Sequence, residues 1–263
     1  NNMPTSEHES LTSVQNPVVK RLRALKERAA REESGQFLVE GEKLLREALR
    51  GGLVPRVLLY DQARALPELI RPFEASGAAC YRVTDNVLEA VCSTRTPQGC
   101  CCAFALPDLT IDFLDPPARL VALDGVQDPG NVGTIWRTAD AAGFDGLLLG
   151  EGSADPFSPK VQRAAMGSGF RVRCAQASDL SQTLAQFNRA GYQIVVSSLQ
   201  GEPFYGHAPL GDKYVLVIGS EAHGVSAQVA RQATMRLKLP MRGGAESLNA
   251  AVAAGIMMYE MTK

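Results

Sequence analysis

Residues 239–254, Leu-Pro-Met-Arg-Gly-Gly-Ala-Glu-Ser-Leu-Asn-Ala-Ala-Val-Ala-Ala, constrain the fold most, because three kinds of local chemistry meet there without a gap. A strand over 235–239 ends at Pro240, whose ring removes a backbone donor. Gly243 and Gly244 let the backbone turn where a Cβ would clash, and let a ligand approach the main chain. Ser247 or Asn249 then caps a helix whose small apolar run, 250–258, packs tightly. Strand, open loop and capped helix in that order suit an α/β protein, where ligands sit at strand ends. An ordinary αβ connection with a glycine turn has the same signature.

The alternation extends along the whole chain. Beyond residue 118, strands are expected at 120–123, 146–149, 171–174, 192–197, 214–218 and 235–239, with helices at 132–142, 159–167, 180–190, 226–233 and 248–261. Apolar runs such as Tyr214-Val-Leu-Val-Ile218 suit strands buried on both faces of a parallel sheet. The first half reads as a smaller α/β layer, with a helix over 16–31, strands at 36–39, 55–60, 79–83 and 100–105, and helices at 42–50, 66–76 and 86–91. Three prolines and three aspartates in 107–117 mark a linker. The expected organisation is a small α/β domain over 1–107, a linker over 108–117 and a second α/β domain over 118–263. At 263 residues and 45% apolar content the chain can bury two cores.

Several function classes lose ground on composition. No apolar run of about 18 residues occurs and the N-terminus is polar, so neither a membrane span nor a secretory signal is expected. The triplet Cys100-Cys101-Cys102 cannot satisfy C-x-x-C metal spacing, and there are only three histidines, so no metal site is expected. The six cysteines read as reduced core residues of a cytoplasmic protein. With a net charge of −1, any grip on a polyanion must come from a local patch. Residues 16–31 supply one: Lys20, Arg21, Arg23, Lys26, Arg28 and Arg31 against Glu27, with Asn16 as cap, Pro17 at the first helical position, and Val18, Leu22 and Leu25 marking the buried side. A contact with a nucleic-acid backbone and a solvated helix face both account for it.

Three loops at strand ends carry the chemistry. The first, 123–139, runs from a strand through a glycine-rich turn into a helix that Asn131 can cap. The free N–H groups of such a helix suit a phosphodiester, and Arg137, about one and a half turns in, has the planar fork that grips phosphate. The second, Ile218-Gly-Ser-Glu-Ala-His-Gly224, places Glu221 where it can accept hydrogen bonds or order Arg137. The third is the 239–254 stretch. Familiar nucleotide signatures fail: Gly150-Glu-Gly152 is followed by Asp155 and Gly167-Ser-Gly169 by Val172, so neither G-x-G-x-x-G nor a P-loop is present. No G-x-S-x-G elbow occurs either.

In this order the loops resemble the motifs of the SpoU/TrmH family of RNA ribose 2'-O-methyltransferases, within the SPOUT superfamily. Asn131-Val-Gly-Thr-Ile-Trp-Arg137 is similar to that family's Asn-x-Gly and arginine motif, Ile218 to Gly224 to its second, and Leu239-Pro-Met-Arg-Gly-Gly-Ala-Glu-Ser-Leu-Asn249 to its third. The likeness covers about residues 119–263. Ala250-Ala251 stands where the family has Val-Ser, and Leu239 where it has isoleucine. The first half, with Phe37-Leu-Val-Glu-Gly41 and its basic helix, more loosely resembles a ribosomal-protein-like RNA-binding domain that many members carry.

The resemblance implies two α/β domains, the second a SPOUT-type parallel sheet tied into a deep trefoil knot. It implies S-adenosyl-L-methionine as cofactor, held by the backbones around Gly219, Leu239 and Leu248 with Met241 nearby. It also implies a homodimer through the helix after Asn249. Transfer of a methyl group to a ribose 2'-hydroxyl, with ribosomal RNA favoured, is then expected. Arg137 would position the phosphate and stabilise the alkoxide, while Asn131, Glu221, Ser247 and Asn249 fix its geometry. RNA would be met by the basic helix and the Arg137 loop. His223 as a base, or exposed in its turn, stays open. The alternatives are transfer RNA as substrate, an antibiotic-resistance methylase, or a non-catalytic RNA-binding or ribosome-assembly protein.

Overall fold

The computed structural model describes residues 7–61, 63–64, 67–113 and 115–263. Residues 1–6 of the polar N-terminus, Leu66 of the helix expected at 66–76 and Leu114 of the linker lie outside the described residues. By internal contacts the chain divides into two compact units, Asn1–Pro107 with Phe157–Gln162, and Asp108–Pro156 with Arg163–Lys263.

The first unit runs β1 (Ser10–Leu11), α1 (Pro17–Ala24), α2 (Arg28–Ser34), β2 (Gln36–Glu40), α3 (Glu42–Arg50), β3 (Pro55–Tyr60), α4 (Pro67–Ala75), β4 (Ala79–Val83), α5 (Asp85–Val91) and β5 (Cys100–Ala105). Its sheet has the order β1-β4-β3-β5-β2, with β5 antiparallel to both neighbours and the other pairings parallel. The unbroken apolar run of β5 suits this place, flanked by strands on both sides and buried from Cys100 to Phe104. Burial pushes the Cys80 thiol up to about 11 and the Cys100 thiol up to about 12, so both stay protonated and unreactive near neutrality.

The single helix expected over 16–31 is two helices. Asn16 caps α1 as expected, its Oδ1 accepting from the Val18 N–H at 2.8 Å. The chain leaves the helix after Ala24 and restarts at Arg28. Arg31, only 3% exposed, folds back so that its Nη1 donates to the Leu25 and Lys26 carbonyls, both at 2.8 Å. The break frees those carbonyls, and the guanidinium satisfies them. Lys26 likewise donates to the Ala90 carbonyl at 2.8 Å, and Arg28 pairs with Glu32 at 2.7 Å. Among the described residues, only Lys20, Arg21 and Arg23 of the six cations stay exposed with no partner inside the chain. The buried side is Val19, Leu22 and Leu25, with Val18 only partly buried.

The rest of the chain runs β6 (Arg119–Asp124), α6 (Pro129–Ala141), β7 (Gly146–Leu149), α7 (Pro159–Ala165), β8 (Arg173–Gln176), α8 (Leu180–Arg189), β9 (Gln193–Pro203), β10 (Tyr214–Gly219), α9 (Ala227–Ala230), β11 (Met235–Lys238) and α10 (Ala250–Met261), all in the second unit except residues 159–162 of α7, which fall in the first. All its strands are parallel, in the order β11-β9-β10-β6-β7-β8. Val121, Leu123, Leu216 and Val217 are fully buried, which is why the central strands read as uninterrupted apolar runs. Each such side chain contributes roughly 1.5–3 kcal/mol. The strand expected at 171–174 lies at 173–176, because Ser168–Phe170 forms a 3-10 turn that uses up the preceding residues. Within the expected linker, Leu109 accepts from Gln176 N–H and the Phe113 ring lies 5.1 Å from that of Phe187. Among the described residues no helix is long and apolar enough to cross a membrane.

Candidate active site

β6 and β10 lie side by side with Leu123 opposite Ile218 and Asp124 opposite Gly219, so their following loops leave the sheet at one level. From β6 the chain continues to β7 on one side, whereas from β10 it leaves for β11 beyond β9 on the other. Such a reversal opens a crevice at the carboxyl ends of the strands. A separate cleft of about 560 Å³, lined by Pro117, Asp140, Phe144, Asp145, Arg171 and Arg173, lies at the amino ends of β6–β8.

The loop after β6 turns into α6 through Asp128 rather than Asn131. Asp128 Oδ1 accepts from the Asn131 N–H at 2.8 Å, and Pro129 occupies the first helical position. The expected cap is therefore a residue of the first turn. The Asp-Pro pair was the available signal for it, since proline at the first position follows a capping residue. This frees the Asn131 side chain, 9% exposed, to donate from Nδ2 to Glu221 Oε1. Asn249 Nδ2 donates to Asn131 Oδ1 at 3.1 Å and to Glu221 Oε1 at 3.2 Å. A closed triangle of two amides and one carboxylate thus joins all three loops.

Each corner is held by its own element. Asn249 Oδ1 accepts from the Ala251 and Val252 N–H groups at 2.9 and 3.2 Å and so caps α10, a role worth about 1 kcal/mol. Ser247, the alternative cap, is exposed. The Glu221 loop is closed by paired bonds between Ser220 and Gly224, at 3.1 and 2.8 Å. It is tied to β6 by the Ser226 N–H donating to Asp124 Oδ2 at 2.7 Å. Asp124 was not singled out in the sequence, because a carboxylate at a strand end has no distinguishing pattern. His223 is exposed in its turn.

Arg137 is exposed on α6, and Glu221 bonds to the two asparagines rather than to it. Among the described residues it has no hydrogen-bond or ionic partner within the chain. Its guanidinium therefore remains available to something outside the protein.

The loop after β11 combines apolar side chains with open main chain. Leu239 is buried, Met241 half-buried and Leu248 exposed. Among the described residues, the main chain over 240–248 makes no hydrogen bond within the protein. Apolar side chains beside uncommitted N–H and C=O groups fit a flat base and a polar amino-acid tail. Gly243 and Gly244 have ordinary φ and nothing within 4 Å of a built Cβ, so the turn does not require them. They leave the main chain open to approach. Gly219 is the constrained glycine: a Cβ there would lie 2.1 Å from the Gly224 carbonyl carbon.

The SpoU rRNA Methylase family matches residues 118–259, and the MRM3-like substrate binding domain matches residues 16–102. The 23S rRNA (guanosine(2553)-2'-O)-methyltransferase RlmP of Bacillus subtilis is 34% identical, over 95% of this chain and 98% of its own. An AdoMet-bound rRNA methyltransferase from Sinorhizobium meliloti superposes with a TM-score of 0.88 at 34% identity, covering 96% of this chain and 97% of its own. The SpoU methyltransferase AviRb from Streptomyces viridochromogenes, in complex with AdoMet, superposes with a TM-score of 0.83 at 26% identity, covering 94% and 97%.

Proposed function

This chain belongs to the SpoU rRNA methylase family, and we propose how its residues divide the S-adenosylmethionine-dependent methylation of a ribose 2'-hydroxyl in ribosomal RNA. When bound, the cofactor supplies a methyl group on a positively charged sulfur. The backbones at Gly219, Leu239 and Leu248, with Met241 beside them, hold it. A ribose hydroxyl is a weak nucleophile, so the protein must align it and stabilise the negative charge that develops as its proton leaves. Positioning alone can contribute about 7 to 11 kcal/mol. Arg137 grips the phosphate beside the target ribose and stabilises the 2'-oxygen. It serves there as a fixed positive charge and hydrogen-bond donor rather than as the base, and the 2'-hydroxyl proton passes to water. Asn131, Glu221 and Asn249 lock the start of α6, from which Arg137 projects, and Ser247, exposed two residues before Asn249, has no partner among the described residues.

The observation that carries this reading is the triangle, which joins Asn131, Glu221 and Asn249 across 90 and 118 residues of chain. Incubating the full chain with tritiated cofactor and with separated ribosomal and transfer RNA tests it. Label in ribosomal RNA is expected. Label only in transfer RNA moves the substrate, and label in neither supports a non-catalytic RNA-binding protein.

We assign residues 1–107 to RNA binding, 108–117 to the connection and 118–263 to methyl transfer, in the cytoplasm. RNA is gripped through Lys20, Arg21 and Arg23, the exposed cations of α1, as well as through the Arg137 loop. Replacing the three by alanine is expected to weaken RNA binding and flatten its dependence on log salt by about 2–3. An unchanged slope would leave α1 as a solvated face.

A homodimer through α10 is supported by that helix being apolar on its outer side as well as its inner, with Val252 and Tyr259 half exposed. Val252→Glu is expected to shift the sedimenting species from dimer to monomer, and a wild-type monomer would remove the dimer. A knot in the C-terminal loops rests on the family resemblance alone, since the close approach of Gly201 to the Arg236 and Leu237 backbone belongs to the bulged parallel pairing of β9 with β11. Pulling on both termini would leave a knotted chain short of its contour length; full extension would contradict the knot.

A further inference from the structure

We propose that residues 166–172 form a positioning clamp that sets the rotation of α6 and thereby the aim of Arg137. The inference rests on the role given to Arg137 above. The amino end of α6 is anchored through Asn131. Its second half packs on α10, where a Cβ at Gly255 would lie 3.4 Å from Thr138 Cγ2, but among the described residues its side-chain hydrogen bonds to other elements all come from this one turn. The Trp136 indole N–H donates to the Val172 carbonyl at 3.0 Å. Gly169 lies flat against the same indole, so close that a Cβ would sit 2.8 Å from Trp136 Cη2 and 2.9 Å from Cζ2. One turn further on, Asp140 accepts from Ser168 Oγ at 2.9 Å and from Arg171 Nε and Nη2 at 2.9 and 2.7 Å.

Trp136 and Asp140 bracket Arg137 in the sequence, so whatever holds them fixes the direction in which the arginine leaves the helix. Ser168 is 2% exposed. Of the three buried polar or charged residues among those described, Arg31 caps α1, Asn131 belongs to the triangle, and Ser168 belongs to this turn. The turn is also held in an uncommon conformation. Met166, at φ 50°, is the sole non-glycine residue with a positive φ among the described residues, and Gly167 follows at 87°. The Met166 side chain is half exposed, so its own burial does not compensate for that backbone, which the contacts on α6 over-determine. A small rotation of α6 would leave its backbone ladder intact and still swing the long arginine side chain off its target.

The test uses the full-length protein, tritiated S-adenosylmethionine and transcribed, unmodified 23S rRNA. Gly169→Ala is expected to lower kcat about tenfold or more, since displacements of about 1 Å at a reacting group can cost a hundredfold. KM for RNA and the calorimetric Kd for the cofactor should stay within about twofold. Trp136→Phe removes the indole donor to Val172 together with the ring atoms that the new Cβ would meet, so it is expected to lower kcat by itself, and the double variant Gly169→Ala/Trp136→Phe should be little slower than the slower single variant. In an Arg137→Ala background, Gly169→Ala should add almost nothing, the signature of two residues acting through one.

The clamp is overturned if the losses of Gly169→Ala and Arg137→Ala multiply, if Trp136→Phe leaves kcat unchanged, or if KM moves while kcat does not. An Arg137→Ala enzyme with full activity would instead overturn the site assignment, and the clamp with it. Should Gly169→Ala fail to fold, Arg171→Ala removes one arm of the clamp from its solvent side and enters the same cycle with the same expected outcome.

Discussion

Replacing Arg137 by alanine is expected to lower methyl transfer about a hundred- to a thousandfold, the usual effect of removing a preorganised donor from a developing oxyanion. Cofactor affinity should change little, because Arg137 lies on α6 rather than in the loops around Gly219 and Leu248. The side chain is exposed and, among the described residues, bonds to nothing in its own chain, so its removal leaves no buried partner stranded and the melting temperature should hold. That separates a catalytic loss from a folding loss. Arg137→Lys keeps the charge but loses the planar fork, and about a tenfold or larger loss is expected across the working pH range. Near-full activity of the lysine variant would show that bidentate geometry is not what the site needs.

Gly219→Ala should be as damaging by another route. The added Cβ would lie 2.1 to 2.4 Å from backbone atoms of Gly224 and Val225, and backbone cannot swing aside as a side chain can. The paired bonds between Ser220 and Gly224 would have to open, displacing Glu221 from Asn131 and Asn249. A loss of cofactor binding heat is expected, with destabilisation of about 1–3 kcal/mol or more from overpacking. Gly243→Ala and Gly244→Ala supply the contrast. Both positions are open, so in the free protein each should be within about 0.5 kcal/mol of neutral. An unaltered cofactor isotherm for Gly219→Ala would remove this loop from the cofactor wall.

The parts of the molecule that could be read from the sequence are those whose cause is local. Tyr214–Gly219 is an unbroken apolar run because strands flank it on both sides, and it appears as a strand where expected. Asn249 caps α10 through bonds two and three residues away, again a short-range signal. Where the cause was distant, reading stopped. The break between α1 and α2 depends on Arg31 folding back onto Leu25 and Lys26, and no periodicity announces it. The strand expected at 171–174 begins later because the 168–170 turn is held against α6. Glu221 could be placed in a loop, but not its choice of two asparagines over Arg137, which topology alone decides.

The short β1 was missed because two residues carry no alternation. Arg82 holds the segment before it, donating from Nε to the His8 carbonyl at 3.0 Å. Asp128 took the capping role from Asn131, and the consequence is functional: an asparagine spent on its own helix could not have joined the triangle.

The most direct measurement is alkaline hydrolysis of ribosomal RNA methylated by this chain with labelled cofactor. Alkali cleaves RNA through the free 2'-hydroxyl, so a methylated ribose protects its own linkage. The account predicts that the label is recovered in alkali-stable dinucleotides and is lost with Arg137→Ala; label in ordinary mononucleotides, with the methyl on a base, would contradict it.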